Sequence, residues 1–323
     1  MSAMDLPEYA IEARGLVKTY RATKTTPEKL ALNGVDLKIP RGSIFGLLGP
    51  NGAGKSTFIN ILAGLAKKTA GEVRIWGRDI DQHPRDARAA IGVVPQELAA
   101  DVFFTPRESL DVQAGMYGVP RAERRTDALL AAMGLSDKAN AYVRQLSGGM
   151  KRRLMVAKAM VHQPPVLILD EPTAGVDVEL RRQLWNYVVS LNQQGVTIVL
   201  TTHYLEEAQE LCDQIAIINR GEVAACEPTA TLLKRLDTRN VVVTPKEPVA
   251  TAPDLKGFET RLRGGGAFQV SYKTGQSSVE QVLAAVRATG LHIQDIATED
   301  PDLEDVFMAL TYDDPAAADP TRD

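Results

Sequence analysis

Residues 9–40 alternate between apolar and polar side chains, as in YAIEARGLVKTY and ALNGVDLKIP. This period of two predicts half-buried antiparallel strands. The segment SIFGLLG at 43–49 is instead continuously apolar, which indicates a short buried strand, and it leads through glycines into the helical pattern KSTFINILAGL. Strand, glycine-rich turn and helix in this order predict the start of a phosphate-binding β–α unit.

Between about residues 97 and 163 apolar side chains recur at three- and four-residue spacing, which predicts a helical subdomain. The apolar strands VLILD and VTIVLTTH follow, separated by the helical stretch VELRRQLWNYVVSLNQQ. Such β–α–β alternation predicts an α/β fold whose parallel sheet presents ligands at the carboxyl ends of its strands. We therefore expect one α/β domain over residues 9–230.

The character of the sequence changes after about residue 230. The prolines and threonines of TRNVVVTPKEPVATAPD predict a linker with an edge strand. The strand-like and helical stretches around and after it predict a small α+β domain over residues 235–312, for which we expect ferredoxin-like element order. The Pro-, Ala- and Asp-rich residues 313–323 predict a disordered tail.

Composition narrows the function classes only slightly. The 323 residues are 44% hydrophobic and carry a net charge of -4, which disfavours broad nucleic-acid binding. Two cysteines, Cys212 and Cys226, are too few for a disulfide framework and are typical of a reducing compartment. We see neither a secretory segment nor an apolar run of the roughly 20 residues that span a bilayer. We expect no direct membrane insertion, so that any membrane contact comes through a partner.

The segment GPNGAGKST at 49–57 matches the phosphate-loop pattern G-x-x-x-x-G-K-[ST] between a predicted strand and helix. Its glycines allow the backbone N–H groups to wrap around phosphates, Lys55 would reach the β- and γ-phosphates, and Ser56 would ligate Mg²⁺. A turn that only caps a helix is the alternative, and the strand before it makes that alternative weak. The predicted nucleotide-binding residues here are Gly49, Pro50, Asn51, Gly52, Ala53, Gly54, Lys55, Ser56 and Thr57.

Polar residues at further strand ends supply candidates for hydrolysis. In VLILDEP, we expect Asp170 to hold Mg²⁺ through its water shell and Glu171 to accept a proton from the attacking water. An Asp-Glu pair that merely ends a strand and caps the next helix is the alternative. His203 in VTIVLTTHY would contact the γ-phosphate and the water, and Gln96 in GVVPQE would reach Mg²⁺ and the same water.

A second anion site is predicted in LSGGMK at 146–151. Ser147, Gly148 and Gly149 offer a hydroxyl, free backbone N–H groups and a helix N-terminus. The chain already has a phosphate loop almost a hundred residues upstream, so the sequence raises the question of whose phosphate this site binds. The basic residues that follow, Lys151, Arg152 and Arg153, are typical of a solvated helix face, and the alternative is that they strengthen the positive field around the bound phosphate.

Taken in order, these motifs closely resemble those of the nucleotide-binding subunits of ATP-binding-cassette (ABC) transporters. The correspondence covers about residues 10–225: Walker A GPNGAGKST, Q-loop VVPQE, signature LSGGM, Walker B VLILDEP, D-loop AGVD at 174–177 and the switch histidine in TTHY. The resemblance implies a P-loop NTPase cassette, with a mixed sheet core and a helical signature subdomain, that uses ATP and Mg²⁺.

The resemblance also answers the question of the second anion site. In such cassettes the signature, here Ser147, Gly148 and Gly149, binds the γ-phosphate of ATP held by a partner cassette. It implies a head-to-tail dimer with two ATP molecules, formed most simply with a second copy of the chain. Tyr20 would stack on adenine, although a strand-end aromatic that packs on the sheet is the alternative, and Asp177 would couple the two sites.

The stretches SGGMKRRLMVAKAMVHQPPVLILDEPTAGVD and LEDVFMALT resemble ABC-2 class exporters of the DrrA-like and YadG-like groups. This similarity implies an ATPase that drives export through a separate ABC-2 family membrane permease, from the cytoplasmic side of the inner membrane. Phe103 and Phe104 lie where such a permease would dock. Core packing is expected for at least one of them and permease contact for the other.

Two other functions fit parts of the sequence. A soluble ABC ATPase that acts on ribosomes or DNA is one, but such proteins usually have two cassettes in one chain or a long coiled-coil insertion. A non-catalytic nucleotide sensor is the other, and the intact Lys55, Glu171 and His203 argue against it. Export is therefore the leading prediction.

Overall fold

The computed structural model describes residues 6–23, 27–97, 101–173, 176, 178–235, 238–273, 275–299 and 302–312. The predicted tail at 313–323 and Asp177 lie outside the described residues. The chain divides into two compact units, Met1–Pro228 and Thr229–Asp323. The division falls close to the change in sequence character at about residue 230. In the described part of the chain, no helix combines the length and apolar character that a membrane crossing requires.

Strands and helices alternate through most of the first unit. Its strands are β1 (Tyr9–Tyr20), β2 (Lys29–Pro40), β3 (Ile44–Leu48), β4 (Ala70–Ile75), β5 (Arg78–Asp79), β6 (Ile91–Val94), β7 (Val166–Asp170), β8 (Thr197–Thr201), β9 (Gln214–Asn219) and β10 (Glu222–Pro228). Its α-helices are α1 (Lys55–Leu62), α2 (Pro84–Ala89), α3 (Pro106–Met116), α4 (Thr126–Ala132), α5 (Gly148–Ala159), α6 (Val178–Gln193) and α7 (Leu205–Leu211).

The strands of the first unit form two sheets. An antiparallel sheet has the order β2-β1-β4-β5, and a six-stranded sheet has the order β10-β9-β3-β8-β7-β6. The second sheet is parallel except for β10, which pairs antiparallel with β9. Strands β3 and β8 are buried at every residue, because a parallel sheet is covered on both faces. The predicted antiparallel strands and parallel sheet are both confirmed.

The parallel sheet places four loops along one edge. Strands β3, β8, β7 and β6 are consecutive neighbours and run in the same direction. Their carboxyl ends therefore lie side by side, and the loops that begin after Leu48, Thr201, Asp170 and Val94 open at the same edge. Each of these loops carries a residue that the sequence motifs single out.

The helical segment packs α3, α4 and α5 against one another, and α5 also contacts β6. A capping box begins α3: the Thr105 hydroxyl accepts from the Glu108 N–H at 3.2 Å, and the Glu108 carboxylate accepts from the Thr105 N–H at 2.8 Å. The prediction that the basic residues of α5 lie on a solvated face is wrong for Arg152, which is only 5% exposed. Its guanidinium donates to the carbonyl oxygen of Pro95 at 2.9 Å, because α5 lies against β6.

The second unit is an α+β structure with one antiparallel sheet. Its elements are α8 (Thr229–Leu233), β11 (Thr238–Pro245), β12 (Glu259–Leu262), β13 (Phe268–Lys273), α9 (Val279–Ala288), β14 (Ile293–Glu299) and α10 (Leu303–Tyr312). The sheet has the order β12-β13-β11-β14. The core of the unit lies between this sheet and α9, where Phe268, Val282 and Val286 are fully buried.

Two expectations for this unit are wrong. Strand β11 is central rather than an edge strand, because it pairs with β13 and β14 and buries Val241 and Val243. A ferredoxin-like domain has the order β-α-β-β-α-β. The described residues 246–258, between β11 and β12, contain no helix, so the order here is β-β-β-α-β-α after α8.

Gly92 allows α5 to approach the sheet closely. A Cβ on Gly92 in β6 would lie 2.2 Å from the carbonyl oxygen of Ala159, the last residue of α5. We expect Gly92→Ala to lower the free energy of unfolding of the first unit by about 1–3 kcal/mol, as overpacking in a core does. Urea unfolding followed by tryptophan fluorescence measures this, because both tryptophans, Trp76 and Trp185, belong to the first unit.

Gly115→Ala is the matched control. A Cβ on Gly115 of α3 would meet only the end of the Arg124 side chain, at 3.3 Å, and alanine favours a helix over glycine by roughly 0.5–1 kcal/mol. This variant should be at least as stable as the parent chain. Equal stability of Gly92→Ala and the parent would contradict the close approach of α5.

Candidate active site

The loop between β3 and α1 has the backbone geometry of a phosphate cradle. Gly54, immediately before α1, has φ +117°, and a Cβ there would lie 2.7 Å from the carbonyl oxygen of Ala31. Both the left-handed conformation and the close approach therefore require glycine. No side chain caps α1, which leaves the N–H groups of its first turn available to an anion.

Lys55 begins α1 and lies across this loop. Its ammonium donates to the carbonyl oxygens of Gly49 and, at 3.1 Å, Pro50. Burial lowers the pKa of Lys55 from its ordinary value, whereas the charges of Glu171 and Asp170 act to raise it. The half-buried lysine is thus a cation within electrostatic range of both carboxylates.

Asp170 is held by a residue on the neighbouring strand. It is the last residue of β7 and pairs in register with Thr201, the last residue of β8. The buried Thr201 hydroxyl donates to Asp170 Oδ1 at 2.5 Å. Burial raises the pKa of Asp170, and the charge of Glu171 adds to this, whereas the Thr201 hydrogen bond, Lys55 and Arg152 lower it.

Glu171 has a left-handed backbone, with φ +48°. Such a conformation costs a non-glycine residue about 1–3 kcal/mol and persists only where its surroundings fix it. Here the Glu171 N–H donates to both the carbonyl oxygen and the hydroxyl of Thr201, each at 3.1 Å. The strand end thereby directs the Glu171 side chain toward Gln96 and His203.

One oxygen of Glu171 lies close to side chains from the two neighbouring strand ends. Its Oε2 accepts from the Gln96 side-chain amide at 2.8 Å, and His203 Nδ1 lies 3.5 Å away. Gln96 follows β6, Glu171 follows β7 and His203 follows β8. The predicted catalytic residues are therefore close together in the structure, with Glu171 at the centre.

A cavity of about 190 Å³ joins this group to the phosphate loop. Residues 51–57, Tyr20, Gln96, Asp170 and Glu171 all line it. Tyr20 is 40% exposed, and the Lys18 ammonium lies 4.6 Å from the centre of its ring. His203 does not line the cavity itself, but it lies next to Glu171, which does.

Sequence reasoning missed two residues of this site. Lys29, at the start of β2, lines the same cavity, but no motif surrounds it in the sequence. Thr201 positions both carboxylates, and its signal was available: a hydroxyl residue two positions before His203, at the end of the strand that neighbours VLILD.

The signature residues lie elsewhere on the first unit. Ser147, Gly148 and Gly149 are not among the described residues that line the cavity. Ser147 caps α5, where its hydroxyl accepts from the Met150 N–H at 3.3 Å. Ser147 and Gly148 are exposed, and a Cβ on Gly148 would have no neighbour within 4 Å. The N-terminus of α5 is accordingly open to a ligand that approaches from outside the chain.

The fold and the site define a P-loop nucleotide hydrolase, and comparisons with known proteins identify its family. Residues 32–174 match the ABC transporter family. The chain is 38% identical over 309 residues to Nod factor export ATP-binding protein I of Paraburkholderia xenovorans (strain LB400), covering 95% of this chain and 98% of that protein. It is 35% identical to the daunorubicin/doxorubicin resistance ATP-binding protein DrrA of Streptomyces peucetius, with 94% and 93% covered.

Solved structures agree with this relationship. The dimeric post-hydrolysis structure of the ATP-binding cassette MJ0796 with ADP and Pi has a TM-score of 0.61 and 29% identity, and it covers 68% of this chain and 98% of the cassette. The chain belongs to the ABC transporter family as an ATP-binding subunit, an ATPase, of the DrrA-type exporter class. The predicted family is confirmed, and these relatives give no support to a ribosome- or DNA-acting ATPase.

Thr201→Val tests how the carboxylates are held. Loss of a hydrogen bond to a charged group costs roughly 1.5–3 kcal/mol, so we expect kcat for ATP to fall about tenfold or more. Because the hydroxyl lowers the pKa of Asp170, its removal should raise that pKa and move the acidic limb of the pH–rate profile upward. Thr201→Ser keeps the hydroxyl and should retain both rate and profile. Wild-type hydrolysis by the valine variant would contradict this assignment.

Proposed function

We propose that this export ATPase works as a head-to-tail dimer of identical chains, with one ATP in each of two shared sites. The single observation that carries the proposal is the separation of two anion-binding elements: Ser147 and the N-terminus of α5 are exposed and lie outside the cavity formed by the phosphate loop. A dimeric related cassette, MJ0796, supports it. Each signature would then contact the γ-phosphate in the partner's cavity.

ATP binding is assigned to residues 49–57 and Tyr20. The loop N–H groups and α1 would hold the phosphates, and Lys55 would exchange the carbonyl oxygens of Gly49 and Pro50 for β- and γ-phosphate oxygens. Tyr20 would stack on adenine, and Lys29 adds positive charge to the same cavity. These assignments place the nucleotide against Asp170 and Glu171.

The donor groups fit Mg²⁺. Ser56, Gln96 and Asp170 line one cavity and offer a hydroxyl, an amide oxygen and a carboxylate. Among the described residues, no group of three or more His, Cys, Asp and Glu side chains could hold a metal ion. Mg²⁺ is typically bound by one or two carboxylates together with water and substrate phosphates, so this limited set suits it. When bound, Mg²⁺ would neutralise phosphate charge.

Hydrolysis requires a base that is fixed next to the γ-phosphate. In our proposal Glu171 accepts one proton of the attacking water, and the water oxygen forms a bond to the γ-phosphorus as the bond from that phosphorus to the bridging oxygen breaks. ADP and phosphate leave, and Glu171 returns its proton to the phosphate or to solvent. Gln96 and His203 hold the carboxylate at the distances given above and orient the water. Positioning and electrostatics supply most of catalysis in phosphoryl transfer, which agrees with so few reactive groups.

Export requires a permease, for which we propose an ABC-2 family membrane protein. The ATPase would sit on the cytoplasmic side of the inner membrane and contact the membrane only through this partner. Relatives named for Nod factor export and for drug resistance support an export role. Asp177, which lies outside the described residues, is proposed to couple the two ATP sites of the dimer.

ATP-dependent dimerisation tests the proposed function directly. Glu171→Gln keeps the shape of the side chain and removes the base, so bound ATP should persist. We expect light scattering to show a dimer of this variant with ATP and Mg²⁺, and a monomer with ADP.

A second substitution identifies the signature as the contact. Glu171→Gln combined with Ser147→Arg should bind ATP and remain monomeric, because the arginine side chain would fill the exposed end of α5. Lys151→Ala in the same background is the control and should still dimerise. A dimer that survives Ser147→Arg would contradict a phosphate contact through the signature.

Phe103 tests the contact with the permease. It is 74% exposed and Phe104 is 37% exposed, so the expectation that at least one of them packs in the core is wrong. The greater exposure makes Phe103 the better candidate for the contact. Phe103→Ala should lower permease-stimulated ATPase activity and leave basal activity unchanged. Met116→Ala, which truncates a residue that is 78% exposed on the same helical segment, is the matched control. Equal stimulation of the parent chain and Phe103→Ala would place the contact elsewhere.

A further inference from the structure

A buried carboxylate joins the two loops that carry Glu171 and His203. Glu207 lies in the first turn of α7 and is 8% exposed. Its Oε2 accepts from the hydroxyl of Thr173 at 3.0 Å and from the hydroxyl of Thr202 at 3.2 Å. Thr173 comes two residues after Glu171, and Thr202 immediately precedes His203. One oxygen of Glu207 thus holds both loops.

The same carboxylate is linked through Arg181 to the aromatic ring of Tyr204, which lies beside His203. Arg181 of α6 places Nε 3.4 Å from Glu207 Oε1, and its guanidinium carbon lies 4.5 Å from the centre of the Tyr204 ring. The Tyr204 N–H donates to the Thr202 hydroxyl at 2.9 Å, and its ring centre is 4.3 Å from that of His203. The Tyr204 ring therefore contacts both His203 and the guanidinium of Arg181.

Because Glu207 and its two hydroxyl partners are buried, the loss of either hydrogen bond is costly. A buried carboxylate is costly unless hydrogen bonds and a counter-charge compensate it. Thr173 is 1% exposed and Thr202 5% exposed, so water does not replace either hydroxyl easily. Displacing one loop would remove one of the two hydrogen bonds that Oε2 accepts, and Oε1 accepts none from the described residues that could compensate for it. The carboxylate therefore favours one relative position of the two loops.

We propose that Glu207 is a positioning residue for ATP hydrolysis, which sets the separation of His203 and Glu171 through Thr202 and Thr173. The proposal rests on the proposed role of Glu171 as the base. Glu207 is not among the described residues that line the nucleotide cavity, so it acts only through the two loops. Its removal should impair the chemical step and leave ATP binding intact.

The test compares variants that remove or keep the hydrogen-bonding groups. Glu207→Met has similar volume and no acceptor, and Thr202→Val removes one donor. Because each variant loses a hydrogen bond to a charged group, we expect kcat to fall about tenfold in both. KM for ATP should stay within about twofold of the value of the parent chain. Thr202→Ser restores the hydroxyl and should restore kcat. Adding Thr173→Val and Thr202→Val to Glu207→Met should lower kcat little further, because all three residues belong to one hydrogen-bond network.

Thr126→Val is the matched control for a purely structural effect. Thr126 is 7% exposed and its hydroxyl donates to the carboxylate of Asp111, away from both catalytic loops. It should lower the urea midpoint and leave kcat unchanged. The proposal is overturned if Glu207→Met keeps wild-type kcat, or if Thr126→Val loses as much kcat as Thr202→Val does.

Two further results keep the test decisive. If Glu207→Met does not fold, the pair Thr202→Val and Thr202→Ser decides, since equal kcat in these two variants would reject the proposal. Wild-type hydrolysis by Glu171→Gln would reject the proposed base itself. If Glu171→Gln loses ATP hydrolysis as expected while Glu207→Met keeps wild-type kcat, only the positioning role of Glu207 is rejected.

Discussion

The parallel pairing of β3, β8, β7 and β6 is the constraint on which the rest of the molecule depends. It sets the carboxyl ends of four strands at one edge, and the register places Asp170 opposite Thr201. Because side chains alternate along a strand, a slip of one residue would turn every side chain to the other face. The register of this pairing therefore decides which polar residues meet at the active site.

Burial of opposite charges gives this edge its chemical character. Burial lowers the pKa of Lys55 and raises that of Asp170, so each charged form depends on its neighbours. Arg152 brings a third charge from α5, and its bond to Pro95 connects the helix that begins after Ser147 to the loop of Gln96. The helix that carries the signature and the loop that contacts Glu171 are thus mechanically linked within one chain.

The sequence predicted the residues whose types are specific to their chemistry. Lys55, Asp170 and Glu171 could be assigned from motif spacing, and strand ends brought them together as expected. Arg152 could not, because a basic run is typical of a solvated face and its burial arises only when α5 packs on β6. The central position of β11 was also missed, since it depends on pairing with distant strands β13 and β14. Tertiary contacts decide such cases, and local patterns do not contain them.

These links bear on how a second chain would influence hydrolysis in the proposed dimer. A γ-phosphate bound at Ser147 would restrain α5, and Arg152 would pass that restraint to Pro95 and the loop of Gln96 in the same chain. Gln96 in turn contacts Glu171 of its own site. Contact with the partner's nucleotide would therefore stabilise the position of the chain's own base. The contacts of Arg152 and Gln96 would thus couple association to hydrolysis in both sites of the proposed dimer.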